Sequence, residues 1–149
     1  MQIILNDPNQ AHKALQKLWL DVKNKLMAGK RQVIELRNYD DCVTSLQRRY
    51  LHGVVLAEIA KQAVVDGKKY NLETWKEHFR KQYLGDKIVT NINPMTGVEK
   101  KEVIRVSSES LTITGYSALI EQVTAFAVTE LSVNFHESYD EWLSQQGIV

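Results

Sequence analysis

One cysteine, two prolines and no long apolar run are the first constraints on this 149-residue chain. A single thiol, Cys42, excludes an internal disulfide and fits a reducing compartment. No stretch approaches the roughly 18 apolar residues that a membrane span requires, so no membrane association is expected. The start, Met1 to Asp7, lacks a basic leader followed by an apolar segment, which points to the cytoplasm of the cell that makes the protein. The seven glycines stand singly, so there is no glycine-rich phosphate loop of the kind an NTPase uses. His12, His52, His78 and His136 are scattered without ligand spacing, and Cys42 has no histidine near it in sequence. Neither a metal, a cofactor nor a thiol nucleophile is expected.

What is present is globular: 44% hydrophobic and 25% charged residues, enough for one domain with a real core. The net charge of +1 conceals an asymmetry. Residues 1–105 hold all nineteen lysines and arginines against twelve acids, while residues 106–149 hold six acids and neither basic residue. A split of +7 and −6 suits a polyanionic partner for the first part, or a dimer in which opposite surfaces meet. Folding can also simply intermix the two.

The organising stretch is Leu46 to Gly85. Tyr50, Leu51, Val54, Val55, Leu56, Ile59, Ala63 and Val64 cover nearly the whole circumference of a helix, which predicts a central buried one. It breaks at Asp66-Gly67. A second helix follows, with Asn71 as N-cap, Leu72, Trp75, Phe79 and Tyr83 facing the core, Lys76, Glu77, Arg80 and Lys81 facing outward, and Gly85 at its end.

Before this pair, Gln2–Leu5 reads as a short strand. A helix then starts near Pro8, capped by Asp7 or Asn9, with Ala11, Leu15, Leu18, Val22 and Leu26 at core spacing and Ala28-Gly29 at its end. Arg31–Arg37 reads as a strand and Asn38–Asp41 as a loop. After Gly85 the apolar period changes to two. Lys87–Ile92, the turn Asn93–Gly97 and Val98–Val106 predict a hairpin. A Ser-rich connection, Ser107–Leu111, leads to a helix with Tyr116, Leu119, Ile120, Val123, Phe126, Ala127 and Leu131 on one face. Glu137–Gln146 suits a short acidic helix anchored by Trp142 and Leu143 and closed by Gly147. The fold class is therefore α+β: one domain with a central buried helix pair, a small antiparallel hairpin and a C-terminal helical segment.

The residues that can bind are basic. Arg48 and Arg49, Lys68 and Lys69, Lys76, Arg80 and Lys81, and Lys100 and Lys101 fall on successive elements, each able to neutralise a phosphate. Tyr50, Tyr70 and Tyr83 lie among them and can stack on unpaired bases, Tyr70 being the better placed beside its glycine turn. The same lysines can also do no more than keep an edge hairpin soluble. Glu137, Asp140 and Glu141 are carboxylates that a magnesium-dependent nuclease would need, or only favourable charge at a helix start.

Gln47-Arg48-Arg49 entering a helix, the Gly67 turn, Glu73-Thr74-Trp75-Lys76-Glu77-His78-Phe79, the connection Ser107–Leu111 and the helix Leu119–Phe126 together resemble the NinB family of phage recombination proteins over about Leu46 to Val133. The family pattern has asparagine where Arg48 stands, an acid where Leu46 stands and tryptophan where His52 stands. The resemblance implies an α+β homodimer whose basic cleft binds single-stranded DNA with little sequence preference. It also implies association with single-strand-binding protein in the bacterial host cell, so that a recombinase can be loaded. Gln47 and Arg49 would carry the DNA contact of the helix entry, and Arg48 adds a charge. Two other readings stand beside this non-enzymatic mediator: a metal-dependent phage nuclease acting on recombination intermediates, and a protein-only adaptor.

Overall fold

The computed structural model describes residues 2–146. The chain is α+β, with six α-helices, two π-helical turns, a 3-10 turn and one two-stranded antiparallel sheet among the described residues.

Helix α1 spans Pro8–Met27, and its start is written locally: the Asp7 carboxylate accepts from the backbone N–H groups of Asn9 and Gln10, both at 2.9 Å, while Pro8 occupies the first turn. Asp21 and Lys25 form the expected surface pair at 2.8 Å. The expected core face is not buried, however. Only Val22 is covered; Ala11 and Leu18 are half-buried, and Leu15, Trp19, Leu20 and Leu26 are exposed.

The two N-terminal strands expected from the sequence do not form among the described residues. Gln2 makes a β-bridge but Ile3–Leu5 forms no strand, and Arg31–Arg37 belongs to no helix or strand. β-Propensity specifies a strand only where another strand takes up its N–H and C=O groups, and none of the described residues does so for Arg31–Arg37. Asn38–Asp41, read as a loop, is the start of helix α2, Tyr39–Tyr50. Asp40 and Asp41 sit in its first turn, where negative charge meets the positive end of the helix dipole.

Helix α2 runs on through a π-helical turn, Leu51–Leu56, into α3, Ala57–Gln62. The predicted central helix is therefore one buried rod with a widened middle: Tyr50, Leu51, Val55, Leu56 and Ile59 are core, Val54 is half-buried, and Val64 lies beyond the helix and is exposed. Asp66 and Gly67, with φ of 50° and 74°, turn the chain between Val65 and Lys68, which exchange both backbone hydrogen bonds. Helix α4, Leu72–Phe79, begins at Asn71, whose side chain accepts from Thr74 N at 2.9 Å. It continues as a second π-helical turn, Arg80–Leu84, and stops at Gly85, whose φ of 64° is costly for any residue with a Cβ.

Strands β1, Asp86–Ile92, and β2, Glu99–Arg105, form the expected hairpin, with Asp86 opposite Arg105 and Ile92 opposite Glu99. The Ser-rich connection holds the 3-10 turn Ser108–Ser110. Helix α5, Ile113–Glu130, is capped by Thr112 and lays Tyr116, Leu119, Val123 and Ala127 on the core at helical spacing. Phe79 is at the centre, stacked with Trp75 and Tyr83 and met edge-on by Phe126. Burying a ring of this kind contributes about 1.5–3 kcal/mol. Helix α6, Tyr139–Gln145, closes the described chain; the predicted stop at Gly147 lies outside the described residues.

Candidate nucleic-acid interface

The π-helical turn Leu51–Leu56 follows directly on Gln47-Arg48-Arg49. An i→i+5 turn is wider than an α-turn and rotates the following side chains relative to those before it, which is why such turns recur at functional sites. Here the result is a groove of about 600 Å³ lined by Arg48, Arg49, His52, Gly53, Trp142 and Glu109, among others. Gly53 contributes open wall, since a Cβ at this position would meet nothing within 4 Å. Arg48 is half-buried and Arg49 exposed.

Glu109 brings a third cation to the groove. Its carboxylate lies 3.5 Å from Lys76 Nζ, linking α4 to the 3-10 turn. His52 stands between these charges. Burial pushes its imidazole below its ordinary value, the positive charges of Lys76 and Arg48 push the same way, and Glu109 opposes them. Its Nε2 is buried with no partner among the described residues. The other wall is α6, held on the end of α2 by Tyr50 stacked obliquely with Trp142, ring centroids 5.5 Å apart, and by the Tyr50 hydroxyl donating to the Glu137 carbonyl at 3.1 Å.

The remaining predicted site residues disperse. Gln47 is only 3% exposed, and its Nε2 donates to the Ile113 carbonyl and the Ser117 hydroxyl, so it braces α2 against α5 rather than facing the groove. Arg80, expected outward, is 5% exposed. The π-helical turn swings it inward, where its guanidinium meets Glu77, the carbonyls of Gly85 and Val106, and Asp86, tying the hairpin base to α4. Lys68 and Lys69 sit at the turn after α3, Lys69 Nζ donating to the Lys61 carbonyl at 2.9 Å. Tyr70 is partly exposed and edge-on to Trp75. Tyr50 is core, and Tyr83 is half-buried against Phe79. Lys81 is exposed on its turn. Lys100 and Lys101 are exposed on β2, on opposite faces because successive strand residues alternate.

The structure thus places Arg48 and Arg49 at one groove, pairs Lys76 with its lining residue Glu109, and leaves the other lysines elsewhere. Sequence reading missed His52, Gly53, Glu109 and Trp142 as lining residues. A histidine four residues after Arg48 and a glycine inside an otherwise apolar helix were the available signals. The carboxylates are occupied locally: Glu141 makes a reciprocal capping box with Ser138, and Glu137 accepts from Gln145. Among the described residues no three His, Cys, Asp or Glu side chains are grouped to hold a metal ion.

A family model described as NinB protein matches residues 1–136. The chain belongs to the NinB family. The match extends beyond the segment that carried the resemblance, reaching from the N-terminus through α1 to the end of α5 and past it. NinB proteins are phage recombination-related. A solved structure described as "Structural Genomics, NinB" is 20% identical over 91% of this chain and 93% of that one, with a TM-score of 0.44. No curated protein matches. No helix among the described residues is long and apolar enough to cross a membrane.

Proposed function

We propose that this NinB-family chain is a non-enzymatic recombination mediator that binds single-stranded DNA with little sequence preference. In this reading it acts as a homodimer in the cytoplasm of the bacterial host and associates with single-strand-binding protein to assist recombinase loading. The observation that carries the reading is the groove beside the π-helical turn, which Arg48 and Arg49 line and whose Glu109 is paired with Lys76 of another helix. Two guanidinium groups and an ammonium suit phosphate oxygens, and neutralising phosphates gives affinity without reading bases. Charge of this sign also suits an acidic segment of a protein partner. The homodimer is supported by the apolar residues that α1 leaves exposed at helical spacing, Leu15, Trp19 and Leu26, since an apolar face on a basic helix suits an interaction surface.

The test is binding to a labelled single strand of about 40 nucleotides at several salt concentrations, with and without magnesium, with the products run on a denaturing gel. Salt-sensitive binding that leaves the strand intact is expected, and two strands of unrelated sequence should bind alike. Magnesium-dependent fragments would make the protein a nuclease. An absence of binding even at low salt would leave an adaptor.

A further inference from the structure

Two surfaces of this chain lack a counterpart within it. The first is the segment 30–37 between α1 and α2, in which Val33 is 94% exposed, Leu36 87% and Ile34 65%. It is basic: Lys30 and Arg31 make no ion pair among the described residues, and Arg37 pairs only with its neighbour Glu35. The second is a groove of about 610 Å³ on another side of α4, walled by Val65, Tyr70, Trp75, Phe126 and Leu131, with His78 at its side. Its charged lining residues are the acids Asp66 and Glu130, and no lysine or arginine among the described residues lines it.

We propose that residues 30–37 of a second copy of this chain occupy this groove. Val33, Ile34 and Leu36 enter the apolar walls, and Lys30 and Arg31 meet Asp66 and Glu130 at the rim. The volume lies within the roughly 300–1,000 Å³ of pockets that accept ligands the size of a few side chains. An apolar segment flanked by cations fits an apolar groove flanked by acids, and a like-charged segment would be repelled. No residue of 30–37 lines the groove of its own chain. Exchange between two copies makes the contact twice about a two-fold axis, because each copy offers both surfaces. The inference rests on the homodimer proposed above and adds to the α1 face a second contact, made by the segment that follows α1; the Arg48–Arg49 groove takes no part in it.

The test uses the full chain with Cys42→Ser as background and two differently tagged populations, one carrying Val33→Cys and the other Val64→Cys. Val64 is an exposed residue of the groove wall. After mixing and mild oxidation, a disulfide joining the two tags is expected on a non-reducing gel, while Val33→Cys mixed with Ile88→Cys on the hairpin should give none. Leu36→Asp should raise the dimer dissociation constant about tenfold in sedimentation, the scale of removing one buried aliphatic side chain, and Glu130→Lys should raise it too by setting like charges against Lys30 and Arg31. Both sites are exposed in the single chain, so each monomer should melt as the parent does. A stable dimer in which Val33→Cys and Val64→Cys form no disulfide, or in which Val33→Cys joins Ile88→Cys equally well, overturns this contact and leaves the homodimer standing. A chain that stays monomeric at every concentration overturns both.

Discussion

The side-chain amide of Gln47 donates to the hydroxyl of Ser117, seventy residues later in the chain, at 2.9 Å. The same nitrogen donates to the Ile113 carbonyl at 3.1 Å. Gln47 therefore ties the last turns of α2 to the first turn of α5 and fixes how α2 is rotated about its axis. That rotation sets the direction in which the next two residues, Arg48 and Arg49, leave the helix.

Gln47→Ala removes both hydrogen bonds and leaves the Ile113 carbonyl without this donor. A destabilisation of about 1–3 kcal/mol is expected in urea unfolding. DNA affinity of the folded protein should fall less than for Arg49→Ala. A stability change below about 0.5 kcal/mol would place Gln47 with ordinary surface substitutions and refute the bracing role.

Arg48→Ala and Arg49→Ala should weaken single-strand binding for all sequences alike. Each should reduce the slope of log affinity against log salt by about 0.7 for every phosphate that is no longer neutralised. Lys68→Ala and Lys69→Ala, which lie away from the groove, should change the slope less. Equal effects at the two places would move the binding surface off the groove.

The Glu77 carboxyl is held below its ordinary value of 4.5, first by the hydrogen bond from Arg80 and also by the charges of Arg105, Arg80 and Lys81. A carboxyl whose pKa is lower folded than unfolded stabilises the fold above the unfolded value and loses that contribution as the pH falls through the folded one. The gap in melting temperature between the parent and Glu77→Gln should thus be widest above the ordinary carboxyl value and close as the pH falls below it. A gap that stays constant would show that the Arg80 contact does not favour the charged carboxylate.

His52 titrates in the other physiological window. Burial first, then the charges of Lys76 and Arg48, push its imidazole below its ordinary value of 6.5, so the unfolded chain takes up the proton before the folded one. Stability from this residue is complete above about pH 6.5 and declines as the pH falls through the lower folded value. His52→Gln should flatten the stability profile just below the ordinary imidazole value. An unchanged slope would mean that the imidazole is solvated as in the unfolded chain.

Ser138 and Glu141 satisfy the start of α6 reciprocally: the Ser138 hydroxyl accepts from Glu141 N at 3.3 Å, and the Glu141 carboxylate accepts from Ser138 N at 2.7 Å. Ser138→Ala should cost about 1 kcal/mol, the usual loss of a helix cap. Asp140→Asn should be near neutral in stability and in strand binding. Magnesium-dependent cleavage that disappears in Asp140→Asn would overturn the non-enzymatic reading.

Much of the fold is legible in the sequence because it is written over short distances. Asp7 and Pro8, Asn71, Thr112 and Gly85 set element ends through atoms a few residues away, and the period-two pattern around Asn93–Gly97 carries its own turn. The core residues of the central rod, Val64 apart, and of α5 follow from helical spacing. Those readings need no partner to be correct.

Where a partner decides, the sequence alone was silent. Arg31–Arg37 has strand composition but no strand beside it among the described residues, and the apolar face of α1 has helical spacing but little of this chain against it. Arg80 and Gln47 are polar side chains on helices, outward by composition, yet carbonyls and a hydroxyl brought from 5 to 70 residues away make their burial stable. The same holds for the groove. The basic residues, the helices they ride on and the family they resemble are all written in the order of residues. That Arg48 and Arg49 share a groove with Glu109, which in turn pairs with Lys76, follows from the three-dimensional packing alone, because local spacing cannot encode a meeting between distant parts of a chain.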